Sequence, residues 1–246
     1  MILVAIALVS IAGCNAETAP TANDEFTSVV DAPTTFRADK SIHAGDMTKP
    51  KMTVTIPYTS GSPAPAEAES VPLTIRIVSW NVESDGNDPN VIAKQLSDLK
   101  AADIYCLQEV RKDSFAVYAE ALGDTFTSIE SKSGQNDRLQ ILFNSKRFEL
   151  LESKELDDIN DGNHRSPLYV RLRDTGTEAE FVVMTNHLAR GKATFRKQQA
   201  IKLREWARDA SVTTSTIAIG DFNMDYTFAT GKGNSAFPEM LRDNVP

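Results

Sequence analysis

The pattern of hydrophobic and polar positions changes at Pro72. From Leu73 onwards, short apolar runs alternate with a stretch in which apolar residues recur at helical spacing. The segments from Leu73 to Val82 and from Ile104 to Val110 predict buried strands, and Asn90 to Lys100 between them predicts a helix. This part of the chain therefore begins as strand, helix, strand.

Further strands and one long helix follow. The predicted strands are Thr125 to Glu130, Arg138 to Asn144, Phe148 to Glu155, Leu168 to Arg173, Phe181 to His187 and Thr216 to Gly220, and the predicted helix is Ala193 to Ala210. So many strands with few helices are typical of a mixed-sheet α/β domain in which two sheets pack together and helices lie outside.

The first residues form an almost unbroken apolar run from Met1 to Gly13, too short for a transmembrane helix but the right size for a signal-peptide core. The run ends Ile11-Ala12-Gly13-Cys14, which resembles a bacterial lipobox. We therefore expect residues 1–14 to be a lipoprotein-type signal peptide that lies outside the fold, with a lipid on Cys14. The expected location is outside the cytoplasmic membrane, in the periplasm or at the cell surface. A short secretory signal without lipidation is the alternative.

Residues 15–72 are rich in Ala, Thr, Ser, Pro and acidic side chains, a composition that buries too little apolar area to offset chain entropy. We expect a disordered tether here, within which Met52 to Ile56 could pair as a lone strand. Residues 73–246 then form the folded domain, expected to be monomeric. Its Cys106 lies in an apolar stretch and reads as a small buried hydrophobe.

Net charge limits the partners. The chain carries a formal charge of -8, which gives no electrostatic sign of a general nucleic-acid binder. A nucleic-acid substrate would have to be held by local Arg and Lys residues and a bound cation.

Several predicted strands end in a polar residue from a narrow set. Strands that end at one edge of a layer bring these residues into one cleft. The residues are Asn81, Glu109, His187, Asp221 and Asn223.

Two carboxylates, two amides and an imidazole suit the hydrolysis of a phosphate ester. Mg²⁺ takes one or two protein carboxylates, and Glu109 is the best candidate ligand. Asp221 could orient or deprotonate the attacking water, Asn81 and Asn223 could hold the phosphate or a metal-bound water, and His187 could donate a hydrogen bond or act as an acid.

Structural readings stay open for the same residues. Asn81 and Asn223 could be strand-end turn formers. Glu109 could form a plain salt bridge with Arg111 or Arg165, since a buried carboxylate needs a cation. His187 could be a satisfied strand-end histidine. His164, in a polar loop, reads as a solvated residue rather than a ligand.

Four short blocks carry a resemblance to a known family. They are Trp80-Asn81-Val82, Leu107-Gln108-Glu109-Val110, Asn186-His187-Leu188 and Gly220-Asp221-Phe222-Asn223. In this order they resemble the signature blocks of the endonuclease/exonuclease/phosphatase superfamily, the family of deoxyribonuclease I.

The resemblance implies a four-layer αββα sandwich with two packed mixed β-sheets, and divalent-metal hydrolysis of phosphoesters. It makes Glu109 a metal ligand, with Asn81 beside it, and places Asp221 next to the nucleophile. Arg165 is similar to a family arginine that supports the site. Arg111 is similar to a position that contacts nucleic acid, although an exposed arginine after a strand is common.

One departure from the family pattern follows. The family domain normally closes with a strand carrying a Ser-Asp-His-like element, whereas no histidine follows His187 here. We therefore expect the last strand to be missing, either because the sequence is a fragment of a longer gene or because the protein lacks that pair.

The sequence predicts an Mg²⁺- or Mn²⁺-dependent phosphoester hydrolase acting on a nucleic acid, a nucleotide or a phospholipid headgroup, and anchored to a membrane through its N-terminal lipid. The alternative is a truncated or catalytically inactive family member, which would be a surface binding module or a non-functional fragment.

Overall fold

The structure is a computed structural model that describes ten stretches of the chain. They are residues 4–8, 37–38, 52–56, 73–83, 86–99, 102–160, 165–211, 214–224, 226–227 and 232–242. Cys14 and His164, both considered above, lie outside them.

Thirteen strands and four α-helices are present in these stretches. The strands are β1 (Val4–Leu8), β2 (Arg37–Ala38), β3 (Met52–Ile56), β4 (Leu73–Asn81), β5 (Ile104–Val110), β6 (Phe126–Glu130), β7 (Arg138–Asn144), β8 (Phe148–Glu155), β9 (Leu168–Asp174), β10 (Glu180–His187), β11 (Ser215–Asp221), β12 (Tyr226–Thr227) and β13 (Lys232–Gly233). The helices are α1 (Pro89–Asp98), α2 (Phe115–Leu122), α3 (Ala193–Ser211) and α4 (Phe237–Met240).

Two mixed sheets form the centre of the fold. One has six strands in the order β2-β3-β4-β5-β7-β6, and the other has five in the order β1-β11-β10-β9-β8. In the first sheet β4 and β5 run parallel, and in the second β10 and β11 run parallel. The remaining short strands, β12 and β13, pair with each other.

Three apolar clusters show how the layers stack. The first lies between the sheets, where residues such as Ile77 and Ile141 of one sheet meet Val170 and Ile219 of the other. The second packs α1 and α2 on the six-stranded sheet, and the third packs α3 and α4 on the five-stranded sheet. Burial of this apolar surface is the main term that stabilises the stack. The predicted αββα sandwich is confirmed.

Helix α1 illustrates how local sequence sets an element. Its N-cap, Asp88, accepts a hydrogen bond from the backbone of Asn90, and Pro89 occupies the first turn, where its missing N–H costs nothing. Ile92 and Leu96 face the sheet. Val91, directly before Ile92, is 54% exposed.

Helix α2 was not predicted. Its sequence, Phe-Ala-Val-Tyr-Ala-Glu-Ala-Leu, is apolar at almost every position, so no period can be read from it. The helix is fixed by tertiary packing, because Phe115, Tyr118 and Leu122 are buried in the second apolar cluster.

The N-terminal half of the chain contributes edge strands. Met52–Ile56 pairs antiparallel with β4, the strand that the sequence allowed there. The backbone of Val4–Leu8 pairs in parallel with β11, although the run from Met1 to Gly13 was expected to lie outside the fold. Its apolar, β-branched residues suit a strand as well as a signal-peptide core. The signal peptide and the tether stay predictions.

No helix in the described stretches is both long and apolar enough to cross a membrane.

Candidate active site

The parallel strand pairs bring four site residues to one edge of the sandwich. Asn81 at the end of β4 lies in register with Gln108 of β5, and His187 at the end of β10 lies in register with Asp221 at the end of β11. Glu109 follows Gln108. The carboxyl ends of parallel strands lie at one edge of a sheet. Because the two sheets pack together, the ends of the pair β4 and β5 lie close to the ends of the pair β10 and β11, as the sequence predicted.

Glu109 reaches the site through an irregular backbone. Its φ is 57°, in the left-handed region that an L-residue rarely adopts, and the pairing of β5 with β7 shifts between Leu107 and Val110. With the backbone bent in this way, Glu109 Oε1 accepts a hydrogen bond of 2.8 Å from Asn81 Nδ2. The same amide nitrogen lies 3.1 Å from Asp221 Oδ2. One amide group thus bridges two carboxylates from different sheets.

The backbone on either side of Asp221 is constrained. Gly220 has a φ of 137°, and a Cβ there would lie 2.1 Å from the backbone oxygen of Asn186, so only glycine fits. Two residues after Asp221, Asn223 has a φ of 48°, and its backbone N–H donates to Asp221 Oδ1 at 2.9 Å. The Asn223 side chain donates to Leu188 O at 2.8 Å. The turn after β11 is therefore bonded to the loop that follows His187.

His187 faces carboxylates on both sides of its ring. Nε2 lies 3.7 Å from Glu109 Oε1 and 3.6 Å from Asp221 Oδ2. Candidate ligand atoms of Glu109, His187 and Asp221 all lie within 4.8 Å of one another, a separation that one metal ion could bridge. His187 has only 3% of its side chain exposed, whereas Glu109 has 25% and so opens the cluster to solvent.

Asp137 is a site residue that the sequence analysis missed. Its Oδ1 lies 3.6 Å from His187 Nδ1, and both atoms are buried with no hydrogen-bond partner. Asp137 immediately precedes β7, which runs antiparallel to β5. An antiparallel strand begins at the edge where its neighbour ends, so the residue before such a strand, and not only the residue at a strand's end, can reach the site.

Arg165 supports this side of the site. Its guanidinium forms an ion pair with Asp137, and its Nε donates to the backbone oxygen of His187 at 3.0 Å. Burial lowers the pKa of Arg165, and the charges of Asp137, Glu109 and Asp221 act in the opposite direction. The structure places Arg165 next to His187, and its supporting role stays a prediction.

A cavity of about 380 Å³ is lined by Arg111, Lys112, Asp113 and Asn136. Arg111 comes two residues after Glu109, and Asn136 comes directly before Asp137. The Arg111 guanidinium pairs with Asp113 at 2.6 Å, so the salt bridge considered between Arg111 and Glu109 is replaced by this local one.

The predicted set of Asn81, Glu109, His187, Asp221 and Asn223 is therefore brought together, with Arg165 behind His187. The Asn81 oxygen accepts from the backbone of Glu83 at 3.0 Å, so the amide turns its nitrogen, not its oxygen, to the carboxylates. The role of Asn81 as a metal ligand stays a prediction.

Comparison with known proteins agrees with this architecture. The model of the Endonuclease/Exonuclease/phosphatase family matches residues 78–243. The chain belongs to this family. Among curated proteins, no sequence matches the chain.

Solved structures share the fold at low sequence identity. An endonuclease/exonuclease/phosphatase family protein from Bacteroides thetaiotaomicron is 18% identical with a TM-score of 0.51, over 62% of this chain and 58% of that one. A mannosyl-6-phosphatase of the same species is 17% identical with a TM-score of 0.55, over 67% and 69%. D. rerio TDP2 in complex with a single-strand DNA product is 20% identical with a TM-score of 0.53, over 61% and 60%. The chain thus spans about 60% of the length of two of these three structures.

Proposed function

We propose that the protein is a divalent-metal-dependent hydrolase of phosphoester bonds. One observation carries the proposal: Glu109, Asp221 and His187 converge at one edge of the sandwich, and the nearby guanidinium of Arg165 is bonded to a further carboxylate, Asp137. Negative charge at this edge therefore exceeds the positive charge supplied by neighbouring side chains. A bound cation would offset it.

The donor set fits a hard divalent cation. Carboxylate oxygens are the ligands that Mg²⁺ and Mn²⁺ prefer, and neutral imidazole is a common metal ligand in proteins. Glu109 would hold the ion, with Asn81 beside it. When bound, such an ion polarises a phosphoryl oxygen and stabilises the leaving group.

The chain's own residues supply the remaining chemistry. Asp221 accepts the proton of the attacking water or orients it. Its carboxylate is held by the backbone N–H of Asn223 and by Asn81, which leaves it little freedom to turn. Asp137 on the far side of the His187 ring favours the tautomer that carries its proton on Nδ1, which would leave the lone pair of Nε2 directed at the ion.

The cavity of about 380 Å³ favours a polar substrate. Two of its lining side chains, Arg111 and Lys112, are cationic, so it suits a charged group next to the scissile phosphate. We propose a nucleic acid, a nucleotide or another polar phosphoester as substrate.

The location is a separate part of the proposal. A lipid on Cys14 would anchor the protein outside the cytoplasmic membrane, supported by the lipobox-like residues that precede it. Expression of the full chain in a bacterium with labelled palmitate should give a labelled protein in the membrane fraction. Cys14→Ser should lose the label, and an unlabelled wild-type protein would contradict the anchor.

The activity is tested with the full chain, plasmid DNA and bis-p-nitrophenyl phosphate. Hydrolysis should require Mg²⁺ or Mn²⁺, stop with EDTA and fail in Asp221→Ala. Asp98→Ala, on the exposed side of α1, is the matched control and should keep wild-type rates. Metal-independent turnover, or inactivity of a folded wild-type protein towards both substrates, would contradict the proposal.

A further inference from the structure

A buried glutamine lies directly beneath the candidate metal site. Gln108 is 1% exposed, and its Nε2 lies 2.8 Å from Cys106 O, 2.9 Å from Thr185 Oγ1 and 3.3 Å from Ser79 Oγ. These acceptors belong to β5, β10 and β4. One amide group therefore connects two strands of the six-stranded sheet with a strand of the five-stranded sheet.

Each connected strand carries a site residue close by. Ser79 lies two residues before Asn81, and Thr185 lies two residues before His187. Residues two apart on a strand point to the same face, so the contacts of Gln108 form the layer immediately below the site residues. Gln108 itself precedes Glu109, whose position depends on the same strand.

The backbone at Glu109 needs support from this side. A non-glycine residue with a positive φ of 57° costs about 1 kcal/mol and persists only when its surroundings hold it. The ladder between β5 and β7 does not hold it, because their register shifts between Leu107 and Val110. The Gln108 side chain bonds this irregular segment to the opposite sheet.

We propose that Gln108 is a positioning residue that holds Glu109 and His187 at the separation required to share one cation. The two side chains come from different sheets, and Glu109 Oε1 lies 3.7 Å from His187 Nε2. Metal–oxygen and metal–nitrogen bonds are about 2 Å long, so a slip of about 1 Å between the sheets would remove one ligand from reach. The shared cation rests on the proposed function, whereas the cross-link is a property of the fold.

The fold offers a matched control. Gln140 on β7 is also fully buried, and its Nε2 likewise donates to a backbone oxygen, Phe115 O at 3.0 Å, and to a hydroxyl, Ser128 Oγ at 2.8 Å. Neither Phe115 nor Ser128 is a residue of the site. Gln108→Met and Gln140→Met therefore remove the same kind of hydrogen bonds at the same burial, and both should lower the melting temperature.

Only Gln108→Met should change the site. Titration calorimetry of the full chain with Mn²⁺ should show about a tenfold loss of affinity in Gln108→Met, and wild-type affinity in Gln140→Met, because partners behind metal ligands typically contribute this much. Thr185→Val, the milder variant should Gln108→Met fail to fold, should lose affinity in the same direction. The double variant Gln108→Met/Thr185→Val should lose less Mn²⁺ affinity than the sum of the two single losses, since both substitutions remove the same hydrogen bond between Gln108 and Thr185.

Amide hydrogen exchange gives a readout that needs no metal. Exchange at Glu109 and His187 should be faster in Gln108→Met and unchanged in Gln140→Met. Wild-type Mn²⁺ affinity together with wild-type exchange at these amides in a folded Gln108→Met protein would overturn the positioning role. A wild-type protein that binds no Mn²⁺ would contradict the proposed function instead, and the exchange rates alone would then decide the role of Gln108.

Discussion

The charged side chains at the two ends of the sandwich are arranged differently. At the end remote from the site, Arg147 pairs with Asp103 at 3.0 Å and with Asp174 at 2.8 Å, and also donates to Thr74 O at 2.8 Å. At the site end, Glu109 and Asp221 both accept a hydrogen bond from the side-chain amide of Asn81. Both ends join the two sheets.

The difference separates a stabilising arrangement from a reactive one. Asp174 accepts from Arg147 and from the backbone N–H groups of Gly176 and Thr177, so its charge is fully compensated. Carboxylates that lie close to one another repel and cost stability, but they can bind a cation and accept a proton. We expect substitutions at the remote end to change stability and substitutions at the site end to change metal binding and catalysis.

Asp221→Asn should have the largest effect on activity. The substitution removes the group that accepts or orients the proton of water, and a general base typically contributes roughly 100- to 10,000-fold. Hydrolysis of bis-p-nitrophenyl phosphate measures the loss. The melting temperature should stay the same or rise because one repelling charge is removed, and unchanged turnover would place the chemistry elsewhere.

Arg147→Met should have the largest effect on stability. It leaves the buried carboxylate of Asp174 without its cation and that of Asp103 with only Arg76, at 3.6 Å, a change that typically costs about 3 kcal/mol. Urea unfolding measures the loss. Lys94→Met, which breaks only the exposed pair with Asp98, is the control and should leave the midpoint in place. Equal urea midpoints for Arg147→Met and Lys94→Met would show that the ion pairs of Arg147 do not contribute to stability.

Asp137→Asn should have an intermediate effect on activity. Loss of the carboxylate behind an imidazole typically costs about 10- to 100-fold, because the ring is no longer held in one tautomer. A double-mutant cycle with His187→Gln measures their coupling. Additive losses would show that the two side chains act independently in spite of the 3.6 Å between them.

The contribution of Asp174 to the stability of the fold should decrease gradually as pH falls. Burial alone would raise the pKa of Asp174. The hydrogen bonds from Arg147 and Thr177, together with the charge of Arg147, bring this pKa below its ordinary 3.8. A carboxyl whose folded pKa is depressed adds stability above its unfolded pKa, and this stability is lost as pH falls through the folded value. Urea midpoints between pH 6 and pH 3 should therefore fall at the acid end, and Arg147→Met should fall less. The same slope in both proteins would contradict the assignment.

Much of the fold could be predicted from the sequence because its signals are local. β4, β5, β10 and β11 are rich in apolar and β-branched residues, and the parallel pairs then place Asn81, Glu109, His187 and Asp221 together. The bounds of most strands agree to within a residue or two.

Other features depend on contacts that a local pattern does not carry. Arg147 lies 27 residues from Asp174 in the chain, so their pairing follows from the sandwich and not from spacing. Asp137 lies in a polar loop and reaches the site only because β7 begins at that edge. Gln108 was read as part of a motif, whereas its function as a link to Thr185 needs the second sheet in place.

Direct titration of a metal into the full chain tests whether Glu109, Asp221 and His187 form a metal site. Calorimetry with Mn²⁺ should show one site in the wild-type protein, no site in Glu109→Gln, and an unchanged site in Arg147→Met under conditions where that variant is folded. Wild-type binding that persists in Glu109→Gln, or is absent from the folded wild-type protein, would show that the converging carboxylates do not form a metal centre.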